Sequence, residues 1–78
     1  MSNIEKYKNA FIESFDVKED QLADLEYQLI TDWDSIGHMS LIAKLEEDFD
    51  IMMDTDDIID FSSFEKGKGI MGKYDVVF

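Results

Sequence analysis

The stretch Asp34-Ser35-Ile36-Gly37-His38-Met39-Ser40-Leu41-Ile42-Ala43-Lys44-Leu45-Glu46-Glu47-Asp48-Phe49-Asp50-Ile51 decides the fold class. Within it Ile36, Met39, Ile42, Leu45 and Phe49 advance by three or four residues, the spacing that gathers apolar side chains on one face of a helix. Asp34 or Ser35 stands where a short oxygen-bearing side chain would cap that helix. An amphipathic helix from Ser35 to about Phe49 is therefore expected, with a serine hydroxyl at its entrance.

Outward from this segment the pattern stays helical. Ile4, Tyr7, Phe11, Ile12 and Phe15 recur at helical spacing and predict a first helix, with Ser2 and Glu5 as its capping box. From Asp16 to Asp34 the spacing loosens, and Val17, Leu22, Leu25, Leu29 and Trp33 read as apolar pins in a long loop that holds at most one helical turn. Loops of that length are uncommon in compact domains, so the pins have to hold it to the core. Asp54-Thr55-Asp56-Asp57-Ile58-Ile59-Asp60-Phe61 predicts a short third helix whose first-turn acids suit the helix dipole. Ser62 and Glu65 would box the start of a fourth. In that last helix Gly67, Gly69 and Gly72 should each cost about 1 kcal/mol relative to alanine, so it should be short, frayed or bent. The tail Tyr74-Asp75-Val76-Val77-Phe78 is apolar enough to fold back on the rest. The expected fold class is all-α: a small four-helix bundle in one domain, residues 1–78, with a long first loop and a short third helix.

Composition narrows the function classes. A chain of 78 residues buries only about 60–65% of its unfolded surface, enough for one modest core and hardly for a deep catalytic pocket. An enzyme is not expected. With no cysteine there is no thiolate nucleophile, and sulfur chemistry would have to come from a cofactor. Nineteen acidic residues against seven basic ones give a net charge of -12, which repels nucleic acid and anionic membranes and steers basic protein partners toward the chain. Disorder is excluded by the 45% hydrophobic content, with six Phe, three Tyr and one Trp. No apolar run approaches the roughly 20 residues of a membrane span. Met1-Ser2-Asn3-Ile4-Glu5 lacks the basic and apolar regions of a signal peptide, so the cytoplasm is the expected location.

Asp34-Ser35-Ile36 at a helix start, the closing run Leu45-Glu46-Glu47-Asp48-Phe49-Asp50-Ile51, the acidic third helix and the Ser62-Ser63 step before the fourth together resemble the acyl carrier proteins. The resemblance covers most of the chain. It implies an acyl-carrier-like bundle in which a phosphopantetheinyl transferase attaches phosphopantetheine from coenzyme A to Ser35, assisted by Asp34. The thiol of that arm would carry an acyl or aminoacyl group as a thioester, placed there by a loading ligase and taken up by a downstream transferase or synthase. Ile36, Met39 and Ile58 would lie around the arm, although core packing is the stronger reading for Met39 and Ile58. Glu46, Glu47 and Asp48, with Met39, are the expected partner-binding residues, and a monomer is expected. Carriers of fatty-acid synthesis usually have acids two and five residues beyond the serine. Gly37 and Ser40 stand at those positions here, which looks more like stand-alone carriers of specialised pathways.

Other chemistries fit less well. A Ser35-His38 catalytic pair would need a third group and an oxyanion hole, so His38 reads as a surface histidine. One histidine and no cysteine cannot make a usual zinc set. Asp32-Trp33-Asp34-Ser35-Ile36-Gly37 begins like a calcium loop, but its fifth position is Ile36 and its twelfth is Ala43, where a bidentate Glu is required. The alternative to a carrier is a non-catalytic acidic helical interaction module, which would tolerate Ser35→Ala.

Overall fold

In the computed structural model, which describes residues 2–78, the chain is all-α. Helix α1 spans Asn3–Phe15, α2 Ser35–Phe49, α3 Thr55–Asp60 and α4 Phe64–Gly72, and a 3₁₀ helix, Glu19–Asp24, interrupts the first loop. Ser2 caps α1: its Oγ accepts the Glu5 N–H at 3.3 Å and donates to Glu5 Oε1 at 3.1 Å, a variant of the expected box in which the carboxylate takes the hydroxyl proton. Asp16 closes α1 and Asp50 closes α2, both in the left-handed conformation (φ 53° and 52°). At the second of these the Ile51 N–H reaches Glu46 O at 3.0 Å, a Schellman-type ending.

Helix α1 packs on α2, and the 3₁₀ helix packs on α1 and α4. The core between them is aromatic: Tyr7, Phe11, Phe15, Trp33 and Phe61 are fully buried, and Leu22, Leu41, Ile42, Leu45 and Met71 fill around them. Each such side chain contributes about 1.5–3 kcal/mol by leaving water. The long loop is held by more than apolar pins. Tyr27 N–H donates to Ser62 O and Phe64 N–H to Leu25 O, both at 2.9 Å, forming an antiparallel bridge between Glu26 and Ser63. Leu22, Leu25 and Trp33 are buried as expected, but Leu29 is 60% exposed and pins nothing.

Two further expectations are corrected at α4. Its cap is Ser63, not Ser62: Ser63 Oγ accepts the Lys66 N–H at 3.0 Å, while Ser62 is spent on the bridge through its carbonyl. Nor do its glycines weigh equally. Gly67 is buried, and a Cβ there would collide with the Tyr7 hydroxyl and the Phe61 ring, whereas nothing lies within 4 Å of a Cβ at Gly69 or Gly72. Gly67 is therefore what lets α4 approach α1. The tail does fold back: Val76 is buried, the Phe78 ring lies 5.0 Å from that of Tyr7, and Asn3 Nδ2 donates to Val77 O. Among the described residues no helix is long and apolar enough to cross a membrane.

Candidate functional site

The buried face of α2 holds Ile42, Leu45 and the half-buried Phe49 of the expected apolar stripe, but departs from it in the first turn. Leu41, Ile42 and Leu45 are buried, but Ile36 is 79% and Met39 54% exposed. At roughly 100° per residue, Ile36 falls on the side opposite Leu45, whereas residue 38 falls on the same stripe as 41, 42, 45 and 49. His38 occupies the inward register, and Met39, read as core, stands in solvent beside it.

His38 is half-buried and bonded through both ring nitrogens. Trp33 Nε1 donates to His38 Nδ1 at 2.9 Å, which places the ring proton on Nε2, and Nε2 donates to Ile58 O at 2.8 Å. The expected surface histidine is thus a brace between the first loop, α2 and α3.

Around this brace the start of α2 is tightly specified. Asp34 Oδ1 accepts the Gly37 N–H at 2.8 Å, so Asp34 is the cap and Ser35 the first helical residue. A Cβ at Gly37 would collide with Asp32 O and lie 3.2 Å from the Phe15 ring. An acid cannot occupy this position unless the loop moves.

Ser35 is exposed, and its Oγ lies 3.3 Å from the Tyr27 hydroxyl. It opens on a predominantly apolar groove of about 370 Å³ between α2 and α3, lined by Tyr27, His38, Met39, Ile58, Ile59, Phe61 and Ser62. Ile59, which lines it, is 71% exposed, whereas Ile36, next to Ser35 in the chain, is exposed outside the lining residues. The structure thus brings together Ser35, Asp34, Met39 and Ile58 of the expected site. Tyr27 is an addition that no sequence signal marked, because it sits in an irregular loop.

Glu46, Glu47 and Asp48 are elsewhere. They lie eleven to thirteen residues along α2 from Ser35, roughly 17–20 Å at the helical rise. Glu46 Oε2 accepts the Met53 N–H at 2.9 Å and so shapes the α2–α3 connection. Asp48 pairs with Lys44, which also bridges to Glu13 of α1 at 2.8 Å. Its bond to Glu13, and then the charges of Asp48 and Glu13, raise the Lys44 ammonium above its ordinary pKa. Glu47 is the exposed member of the three.

A second polar cluster ties α3 to the C-terminal segment. Asp57, 7% exposed, accepts from the Tyr74 hydroxyl at 2.5 Å and from Lys73 Nζ at 2.9 Å, and the Tyr74 hydroxyl accepts the Asp54 N–H. These bonds, Tyr74 first, hold the Asp57 carboxyl below its ordinary pKa. The same contacts hold the Lys73 ammonium and the Tyr74 hydroxyl above theirs.

No family model, curated protein or solved structure matches the chain.

Proposed function

We propose that the chain is a carrier protein, with phosphopantetheine attached to Ser35 and an acyl or aminoacyl group held on that arm. The observation that carries the reading is the setting of Ser35. Its hydroxyl is exposed on the first turn of a capped helix and opens on an apolar groove between two helices. The element order supports it further: after α1 come a long loop with one short 3₁₀ helix, a helix opened by the serine, a short acidic helix and a last helix, the order expected of an acyl-carrier-like bundle.

The residues present fit the group. Transfer requires Ser35 Oγ to attack phosphorus of coenzyme A, form the phosphodiester and release adenosine bisphosphate, the hydroxyl proton passing to a base of the transferase. Ser35 is accessible for that attack, and Tyr27 holds its hydroxyl at the groove mouth. Asp34 fixes the first turn by taking the Gly37 N–H. The arm supplies the thiol that a cysteine-free chain lacks. Tyr27, Met39, Ile58 and Ile59 offer its pantetheine portion an apolar bed.

On this reading the partners are a phosphopantetheinyl transferase, a loading ligase and a downstream transferase or synthase, met by a monomer in the cytoplasm. Ile36, Met39 and Ile59 present apolar contacts around the serine, and Glu47 offers charge for steering at the far end of α2.

The test is the intact mass after incubation with coenzyme A and a broad-specificity phosphopantetheinyl transferase. One added phosphopantetheine, absent from Ser35→Ala, is expected. If the folded protein gains nothing, even with the transferase of its own host, the carrier reading fails and an acidic interaction module takes its place.

A further inference from the structure

We infer that the cargo of this carrier is short and stays outside the bundle, because the floor of the Ser35 groove is closed by a layer of packed rings. The inference rests on the carrier reading and specifies the class of its cargo.

Three rings run in series from the groove to α1. His38 lines the groove. Behind it the Trp33 indole meets the imidazole edge to edge through the Nε1–Nδ1 hydrogen bond, nearly coplanar with it (centroids 6.2 Å apart, planes inclined by 18°), and Phe15 stacks on that indole at 5.2 Å and 23°. Phe61, also in the groove wall, meets His38 edge-on and stacks on Phe11. Trp33, Phe11, Phe15 and Phe61 are each at most 2% exposed, so the layer beneath His38 has no solvent side.

The stopper is also pinned. His38 cannot swing aside without breaking its bonds to both Trp33 Nε1 and Ile58 O, and the second of these ties it to α3, the opposite wall of the groove. Nothing polar waits inside for a ligand: among the described residues every buried side-chain nitrogen or oxygen already has a hydrogen-bond partner. What remains is an open groove near the small end of the range for ligand pockets, which the arm itself would occupy. A long alkyl chain would have to lie in water or on a partner enzyme. A short acyl or aminoacyl group has little apolar surface to hide and suits such a site.

The test attaches ready-made acyl arms by giving the transferase acetyl-coenzyme A or octanoyl-coenzyme A. Intact mass first establishes that one arm is on Ser35; its absence overturns the carrier reading, and this inference with it. The loaded proteins are then compared by thermal midpoint and by the rate at which hydroxylamine releases the thioester, relative to the same coenzyme A thioester free in solution. Expected are midpoints that agree to within about 1 °C and relative release rates within about twofold of each other. An octanoyl form that melts several degrees higher and loses its thioester several-fold more slowly would show that the chain is sheltered, and would overturn the inference.

His38→Ala removes the stopper and should acquire the chain-length dependence that the wild type lacks. If the folded variant shows none, His38 is not what closes the groove. Where His38→Ala does not fold, the wild-type comparison decides alone.

Discussion

Trp33 Nε1 donates a hydrogen bond to His38 Nδ1 at 2.9 Å while the two rings lie nearly parallel, so one contact fixes the end of the first loop, the tautomer of His38 and the position of the first turn of α2. Trp33 is fully buried. His38→Ala would strand its N–H, free Ile58 O and leave a void beneath the groove. A buried donor left without a partner costs about 1–3 kcal/mol, and the void adds to it. His38→Ala is therefore expected to lose about 2–4 kcal/mol in urea denaturation. A loss below about 1 kcal/mol would mean that the brace is dispensable.

Gly67 and Gly69 lie two residues apart on α4 and should respond in opposite directions. A methyl at 67 meets the Tyr7 hydroxyl and the Phe61 ring, both fixed in the core, so Gly67→Ala forces α4 away from α1. Overpacking of this kind costs about 1–3 kcal/mol. Gly69→Ala meets nothing within 4 Å, and should gain about 0.5–1 kcal/mol from the higher helix propensity of alanine. Thermal melts of the two single variants check both signs.

How much of this was legible in the sequence depends on which physical signal each element carries. Periodicity marks α1 and α2 because both bury a stripe, and the acids and serines of 54–63 mark where α3 and α4 begin. The inward face of α2 escapes the same signal at its first turn, since the residue in register with Leu41 and Leu45 is a histidine. A hydropathy pattern counts His38 as polar and the exposed Ile36 and Met39 as core. The indole donor of Trp33 and the carbonyl of Ile58 satisfy both ring nitrogens and offset that burial, and neither pairing, five and twenty residues away, leaves a periodic trace.

The site divides in the same way. Ser35 and Asp34 are readable because capping chemistry is local. Tyr27 is not, because its place over Ser35 follows from the bridge between Glu26 and Ser63, a contact between segments distant in sequence. The engagement of Glu46 and Asp48 within the chain is likewise tertiary.

Gly37 and Ser40, the two positions where an acidic recognition stripe is missing, have different reasons for being uncharged. Gly37 faces the Asp32 carbonyl with no room for a side chain, whereas Ser40 is exposed. Gly37→Glu is expected to destabilise by about 2 kcal/mol or more, since loop backbone has to shift. Ser40→Asp should stay within about 0.5 kcal/mol of the parent, as exposed substitutions do. Urea midpoints for the pair separate the steric cause from a general intolerance of added negative charge, which would penalise both.

Tyr7 sets an alkaline limit. Its hydroxyl donates to Phe64 O at 2.7 Å inside the core, and burial, then the charge of Glu65, pushes its pKa well above the usual tyrosine value. The unfolded chain releases this proton near pH 10 and the folded chain does not. The contribution is therefore complete below about pH 10 and is lost as pH rises beyond it. Tyr7→Phe should cost about 1–2 kcal/mol at pH 7, through the lost bond and the stranded carbonyl, and the gap to wild type should narrow above pH 10. A constant gap from pH 8 to 11 would contradict this.

Asp57 sets the acid limit, against an opposing trend. Acidification from pH 7 toward the pI of about 4.1 removes the self-repulsion of a chain carrying -12 charges, so the thermal midpoint should first rise. Asp57 then reverses the trend. Its bonds from Tyr74 and Lys73 hold its folded pKa below the ordinary value. The stabilisation they give is thus complete above the unfolded pKa of about 3.9 and is lost as pH falls through the lower folded one. Asp57→Asn keeps the shape but drops the charge, and should melt below wild type at pH 7. The difference between the two proteins should shrink only below about pH 4, once the carboxyl of the unfolded wild-type chain begins to take up a proton. A difference that shrinks already between pH 7 and 5 would mean that general charge repulsion, and not the Tyr74–Asp57–Lys73 cluster, governs how α3 is held to the C-terminal segment.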